Sequence, residues 1–161
     1  MSYYPRRPVK SFQDLEVYQK TLSVAAIIVK HILKETPENQ KLNGIVEHLV
    51  QYLLDLPVYI STAHSVRFSS PQTAIDKLER AMLNCNLAVV YLELYRDIVV
   101  PLSKNSKSEI RNSKQIQNAK SSPNSEIENY EDHIRTLLTC RGKIIRLQMS
   151  WKKFMKQNES G

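Results

Sequence analysis

The chain has 161 residues, 42% of them hydrophobic, with three glycines and two cysteines. That composition suits one domain with its own core and leaves no disulfide framework, no glycine-rich phosphate loop and no apolar run near the ~20 residues that span a bilayer. The net charge of +7 is unevenly placed: residues 11–36 sum to zero and 37–100 to −2, while 1–10 carry +3, 101–124 carry +4 and 133–161 carry +6, against −4 over 125–132.

A near-neutral body with cationic ends and a cationic connector points to a polyanion, nucleic acid above all. Residues 1–10 form a basic arm in which Arg6, Arg7 and Lys10 stand beside Tyr3 and Tyr4. The arm has no apolar stretch behind its bases, so it does not read as a secretory signal. With only Cys85 and Cys140, a cytoplasmic protein with reduced thiols is expected.

Ser11 with Asp14 three residues later resembles a capping box. It predicts a helix from Ser11 to near Glu35 with Leu15, Tyr18, Leu22, Ala25, Val29 and Ile32 along its seam. Thr36–Pro37 is an N-cap with proline at the first helical position, opening a second helix. Its inward residues are Leu42, Ile45, Leu49, Leu53, Leu56, Ile60 and Ala63. Pro57 removes the hydrogen bond to Leu53 and predicts a kink costing about 3 kcal/mol if nothing compensates. Ser70–Pro71 repeats the cap-then-proline signal for a third helix, with Ile75, Leu78, Met82, Cys85, Val89 and Leu92 inward, ending near Ile98. Residues 101–124 are a polar tether carrying Lys104, Lys107, Arg111, Lys114 and Lys120 against Glu109 alone.

Ser125 with Glu128 predicts the start of the last helix. Its first turns hold Glu126, Glu128, Glu131 and Asp132 and its last turns Lys152, Lys153 and Lys156, which complements the helix dipole. The seam is Tyr130, Ile134, Leu137, Cys140, Ile144, Leu147, Trp151 and Phe154, and residues 157–161 read as a disordered tail. The expected fold is all-α: an up-down antiparallel four-helix bundle over residues 11–156, with a long basic loop between helices 3 and 4.

No enzyme chemistry is expected. None of the four histidines is the last residue of a Glu-x-x-His pair, and there is no Cys-x-x-Cys or His-Glu-x-x-His. No cofactor or metal is implied. Cys85 and Cys140 sit on seams, where small buried residues are expected. His48 reads as a partly exposed helix histidine.

The last helix carries a basic stripe. Arg135, Arg146 and Lys153 fall within about 20° of one line, with Lys143 and Lys156 beside it. Arg141 and Lys152 point elsewhere but add to the same cationic segment. Few acids accompany these bases after Asp132, and a merely solvated face usually mixes signs. Such a surface binds phosphates with little sequence preference and strong salt dependence.

Four stretches resemble a known family. SFQDLEVYQKTLSVAAIIVKHI is similar to the first helix of the bacterial four-helix proteins encoded in 23S ribosomal-RNA intervening sequences. IVEHLVQYLLDLPVYISTAH, AIDKLERAMLNCNLAVVYLEL and NYEDHIRTLLTCRGKIIRLQMSWKKF are closer to their relatives, the accessory variability determinants (Avd) of diversity-generating retroelements. Tyr130 and Trp151–Lys152 match that pattern, while Met149–Ser150 replace its two glycines. The resemblance implies a homopentameric ring that binds a reverse transcriptase, its template RNA and the RNA–cDNA hybrid in support of mutagenic copying, with no catalytic residues and no membrane. Leu33, Val46, Val50, Leu54, Val90 and Leu94 are candidates for the ring contacts. The alternatives are an intervening-sequence protein with another RNA-linked role and a pure protein-interaction bundle.

Overall fold

The computed structural model describes residues 9–36, 44–99 and 123–159, with backbone alone at 123–128, 158 and 159. Among these residues every regular element is helical: a 3-10 turn Phe12–Asp14, α1 (Glu16–Glu35), α2 (Gly44–Val66), α3 (Pro71–Leu94) with a π-helical turn Tyr95–Val99 after it, and α4 (Pro123–Glu159). Residues 1–8, 37–43, 100–122 and 160–161 lie outside this description, and with them Arg6, Arg7, Leu42, Lys104, Lys107, Arg111, Lys114, Lys120 and the end of the expected tail.

The element boundaries refine several expectations. The Ser11–Asp14 capping box forms, with the Asp14 carboxylate accepting from the Ser11 and Lys10 amides at 2.9 and 3.0 Å. It caps only the short turn, because Leu15 adopts extended backbone (ψ 118°) before α1 begins. Those amide bonds hold the Asp14 carboxyl below its ordinary range. The expected cap at Thr36–Pro37 and the opening of the second helix fall against residues 37–43, outside the described residues, and what is seen of Thr36 is that it closes α1. The Thr36 hydroxyl donates to the Ile32 carbonyl at 2.7 Å and meets the Tyr95 hydroxyl at 2.9 Å, both buried. Ser70 precedes α3 but makes no side-chain cap; its hydroxyl pairs with that of Thr73 at 2.6 Å. The α2 helix runs unbroken through Pro57, which is buried in the core. The α4 helix opens at Pro123, two residues ahead of the expected cap, and runs to Glu159.

The four helices pack around one core, each against its neighbours: α1 on α2, α2 on α3, α3 on α4 and α4 on α1. The α2–α3 seam is the most extensive. Leu49, Leu53, Leu56 and Ile60 of α2 are fully buried there, with Leu78 and Leu92 of α3. Ala74, Ala81 and Ala88, spaced seven apart, are also buried on α3. Small side chains at heptad spacing let a second backbone come close along several turns.

The seams of α2, α3 and α4 follow the sequence pattern, with Met82, Val89, Ile134 and Leu147 packed at the margin of the core. The α1 seam follows it at all but one position, with Leu15, Ala25 and Ile32 in the core and Tyr18 and Val29 packed against it. Val17, Thr21, Ala25, Ile28 and Ile32 are buried, while Leu22, expected inward, is 47% exposed. Thr21 enters the core because its hydroxyl bonds back to the Val17 and Tyr18 carbonyls, at 2.9 and 3.0 Å. Phe154, also expected inward, is 54% exposed, and Val46, a candidate for the ring surface, lies in the core.

Thr36 and Tyr95 join the end of α1 to the turn after α3. Tyr95→Phe keeps the packing and removes one buried hydrogen bond. The expected loss is about 1 kcal/mol, or about 2–4 °C in thermal midpoint by calorimetry. An unchanged midpoint would show that the bond adds nothing net.

Candidate nucleic-acid interface

The angular arrangement of α4 follows from its own residues. Leu137, Cys140 and Ile144 are buried. Arg135, Arg146 and Lys153 lie about 180° away around the helix and face solvent. Acids from other helices have claimed part of the basic surface. Lys143 donates to Glu16 of the first turn of α1 at 2.9 Å, its side chain only 20% exposed. The Glu16 carboxyl is held below its ordinary value, first by Lys143 and then by Lys20, 3.1 Å away. Lys152 meets Glu79 of α3 at 3.5 Å, and Gln148 donates to the same carboxylate at 3.1 Å. Arg135 pairs with Asp132 one turn earlier at 3.0 Å. Arg141 is half-buried, its Nε without an acceptor among the described residues.

Among the described residues, Arg146 and Lys153, on the second half of α4, have no acid partner. Arg146 donates only to the Gly142 carbonyl of its own helix, at 3.3 Å, and Lys153 has no ion pair among the described residues. Lys156 is exposed one turn further on, and Lys10 is exposed ahead of the Ser11 turn.

The same end of the bundle carries a cavity of about 690 Å³. It lies between the turn joining α2 to α3 and the last turns of α4, with Arg67, Phe68, Pro71, Trp151, Phe154 and Met155 among its walls. Phe68 is 74% exposed, and the Arg67 guanidinium lies over its ring, 4.2 Å from the centroid. Arg67 is anchored from behind by Nδ1 of the buried His64 at 2.9 Å, and it also donates to the His64 carbonyl. Because a guanidinium can only donate, the His64 proton resides on Nε2, which is buried with no acceptor. Sequence periodicity missed Arg67 and Phe68. The available signal was an arginine–phenylalanine pair inside the serine-rich turn SVRFSSPQ, where an apolar ring has no core to enter.

Burial pushes the Cys85 thiol up to about 12 and raises that of Cys140, so both stay protonated. His31 Nδ1 and His133 Nε2 are 3.1 Å apart across α1 and α4, and His31 stacks on Tyr130. His48 is exposed between the Tyr52 and Tyr91 rings. Among the described residues no three His, Cys, Asp or Glu side chains converge to hold a metal, and no helix is long and apolar enough to cross a membrane.

Burial lowers the pKa of His64 and of His133, helped by Arg67 and His31 respectively. The unfolded chain therefore takes up these protons first, near the ordinary value of about 6.5. Stability is full above that pH, falls as pH drops through it and levels off below the folded-state values. The thermal midpoint is expected to decline from pH 7 to pH 5, before the carboxylates of Asp14 and Glu16 begin to titrate. A flat midpoint over that range would contradict the assignment.

Compared with protein-family models, curated proteins and solved structures, the chain matches none.

Proposed function

We propose that this chain is a non-catalytic, nucleic-acid-binding accessory protein of the cytoplasm that holds RNA for a reverse transcriptase, as its resemblance to the accessory variability determinants implies. The observation that carries the reading is the pair Arg146 and Lys153. They lie on one line of α4 opposite its buried seam, exposed and without an acid partner among the described residues. A phosphate backbone would supply the missing anions. The up-down course of the helices fits the same reading. Glu16 meets Lys143 and His31 meets His133, so α1 and α4 run in opposite directions. This course leaves the end of α4 beside the α2–α3 turn.

The double variant Arg146→Glu, Lys153→Glu changes only exposed positions, so its circular dichroism and thermal midpoint should match the parent. Its affinity for RNA at low salt is expected to fall about tenfold or more. The slope of log K against log salt should become shallower by about 1.5, as two phosphate contacts are lost. Undiminished affinity would remove this surface from the proposal.

Self-association is the second part. Of the residues proposed for ring contacts, Leu33, Leu54, Val90 and Leu94 are exposed and Val50 is half-buried. Leu83 and Val58 add to the exposed apolar positions of α3 and α2. Apolar side chains exposed on several helices at once favour partner contacts. Light scattering is expected to give about five times the 18.7 kDa of one chain, falling toward one chain in a Leu54→Glu, Val90→Glu variant. A parent mass of one chain at tens of micromolar would exclude the ring.

A further inference from the structure

We propose that the cavity at the end of the bundle is a stacking site for an unpaired base of single-stranded nucleic acid. The proposal rests on the nucleic-acid reading above and gives it a ligand class: bases that are not in a duplex. Three independent features converge on it. The first is the aromatic wall. Phe68 and Phe154 are 74% and 54% exposed, and they share the cavity with Trp151. Exposed rings on a turn and a helix end do nothing for the core, whereas every base has a π-face to lay on them. The volume of about 690 Å³ lies within the range of small-ligand pockets, roughly 300–1,000 Å³.

The second feature is a guanidinium already held for stacking. Arg67 is fixed over the Phe68 ring by the Nδ1 and carbonyl of His64, so little freedom is lost when a ligand arrives. Its Nε and Nη2 have no partner among the described residues, and a planar guanidinium serves both a base face and a phosphate. The third is the start of α3. Pro71 and Gln72 line the cavity, and Ser70 supplies no side-chain cap to the first backbone amides. Uncapped amides at a helix start attract a phosphate. The Gln72 side chain is already bonded to Asp76, so the backbone is what it offers. With Lys153 exposed on the adjoining turns of α4, this end suits a unit that is flat and apolar on one part and anionic on the other. A nucleotide with its base free is such a unit. A cationic or wholly apolar peptide is not.

Trp151 is the only tryptophan, so its emission reports on the cavity alone. The full chain is titrated at low salt with three end-labelled probes, each about twelve nucleotides long. They are a single-stranded oligouridylate, an abasic strand with the same phosphates, and a duplex. Anisotropy reads binding and Trp151 emission reads stacking. The single strand is expected to bind and quench Trp151 by about half, and the other two to bind without quenching. A Phe68→Ala, Phe154→Ala variant should bind the single strand about tenfold more weakly and the duplex within about twofold of the parent. Both side chains are largely exposed, so the fold should persist, checked by circular dichroism. Tight single-strand binding with unchanged Trp151 emission, or equal quenching by duplex, would overturn the stacking site and leave the basic surface standing. If no probe binds, both readings fall. A Trp151 response to an apolar peptide alone would assign the cavity to a protein partner instead.

Discussion

The close approach of α2 and α3 is the constraint on which the remaining packing depends. Ala74, Ala81 and Ala88 recur every seven residues on the buried side of α3, and Leu49, Leu53, Leu56 and Ile60 of α2 are fully buried. On a neighbouring flank Lys77 lies over Tyr59 and Tyr91 meets Tyr52, tying the same two helices at their margin. With that pair fixed, α1 closes against α2 and α4 against α3, and α1 and α4 complete the bundle through Glu16–Lys143 and His31–His133. A leucine in place of Ala81 or Ala88 would demand volume that a packed interior does not spare.

That arrangement redistributes the charge of α4. The helix taken alone is basic from Arg135 onward, yet Glu16 and Glu79 arrive from α1 and α3 and pair with Lys143 and Lys152. These are partly exposed ion pairs, each worth little to stability. Their larger effect is positional. They neutralise Lys143 and Lys152 and, on the second half of the helix, leave Arg146 and Lys153 without an acid partner among the described residues. There the α2–α3 turn adds Arg67 and Phe68, and α4 adds Trp151 and Phe154. In the proposed reading, cations and exposed rings meet at one end of the bundle, so phosphate attraction and base stacking act on the same strand.

Much of this fold is legible in the chain. Four helices, their approximate limits and three of their four seams follow from three-and-four spacing of apolar residues, because burial selects one face of a rod. The α1 seam was legible except at Leu22, which is exposed, and Thr21, which is buried in its place, for two reasons. Leu15 breaks the helix just after its cap, and Thr21 becomes a core residue by bonding to its own helix. Hydropathy scores a threonine as polar and cannot see that bond. The Thr36 contact with Tyr95 was hidden too, because Tyr95 is distant in sequence. The candidate site was half legible. A run of bases on one helix can be counted, but the acids that pair with them sit on other helices. The bundle-end cavity is built from two segments, Arg67–Ala74 and Ser150–Met155, far apart in sequence, a juxtaposition that no local pattern encodes.

Ultraviolet crosslinking of the full chain to RNA, with adducts mapped by mass spectrometry, tests the functional account most directly. Adducts are expected on the turn at Arg67–Phe68 and on α4 from Arg146 to Lys156, with none along the outer faces of α1 and α2. Adducts confined to α1 and α2, or an absence of adducts at saturating RNA, would contradict it.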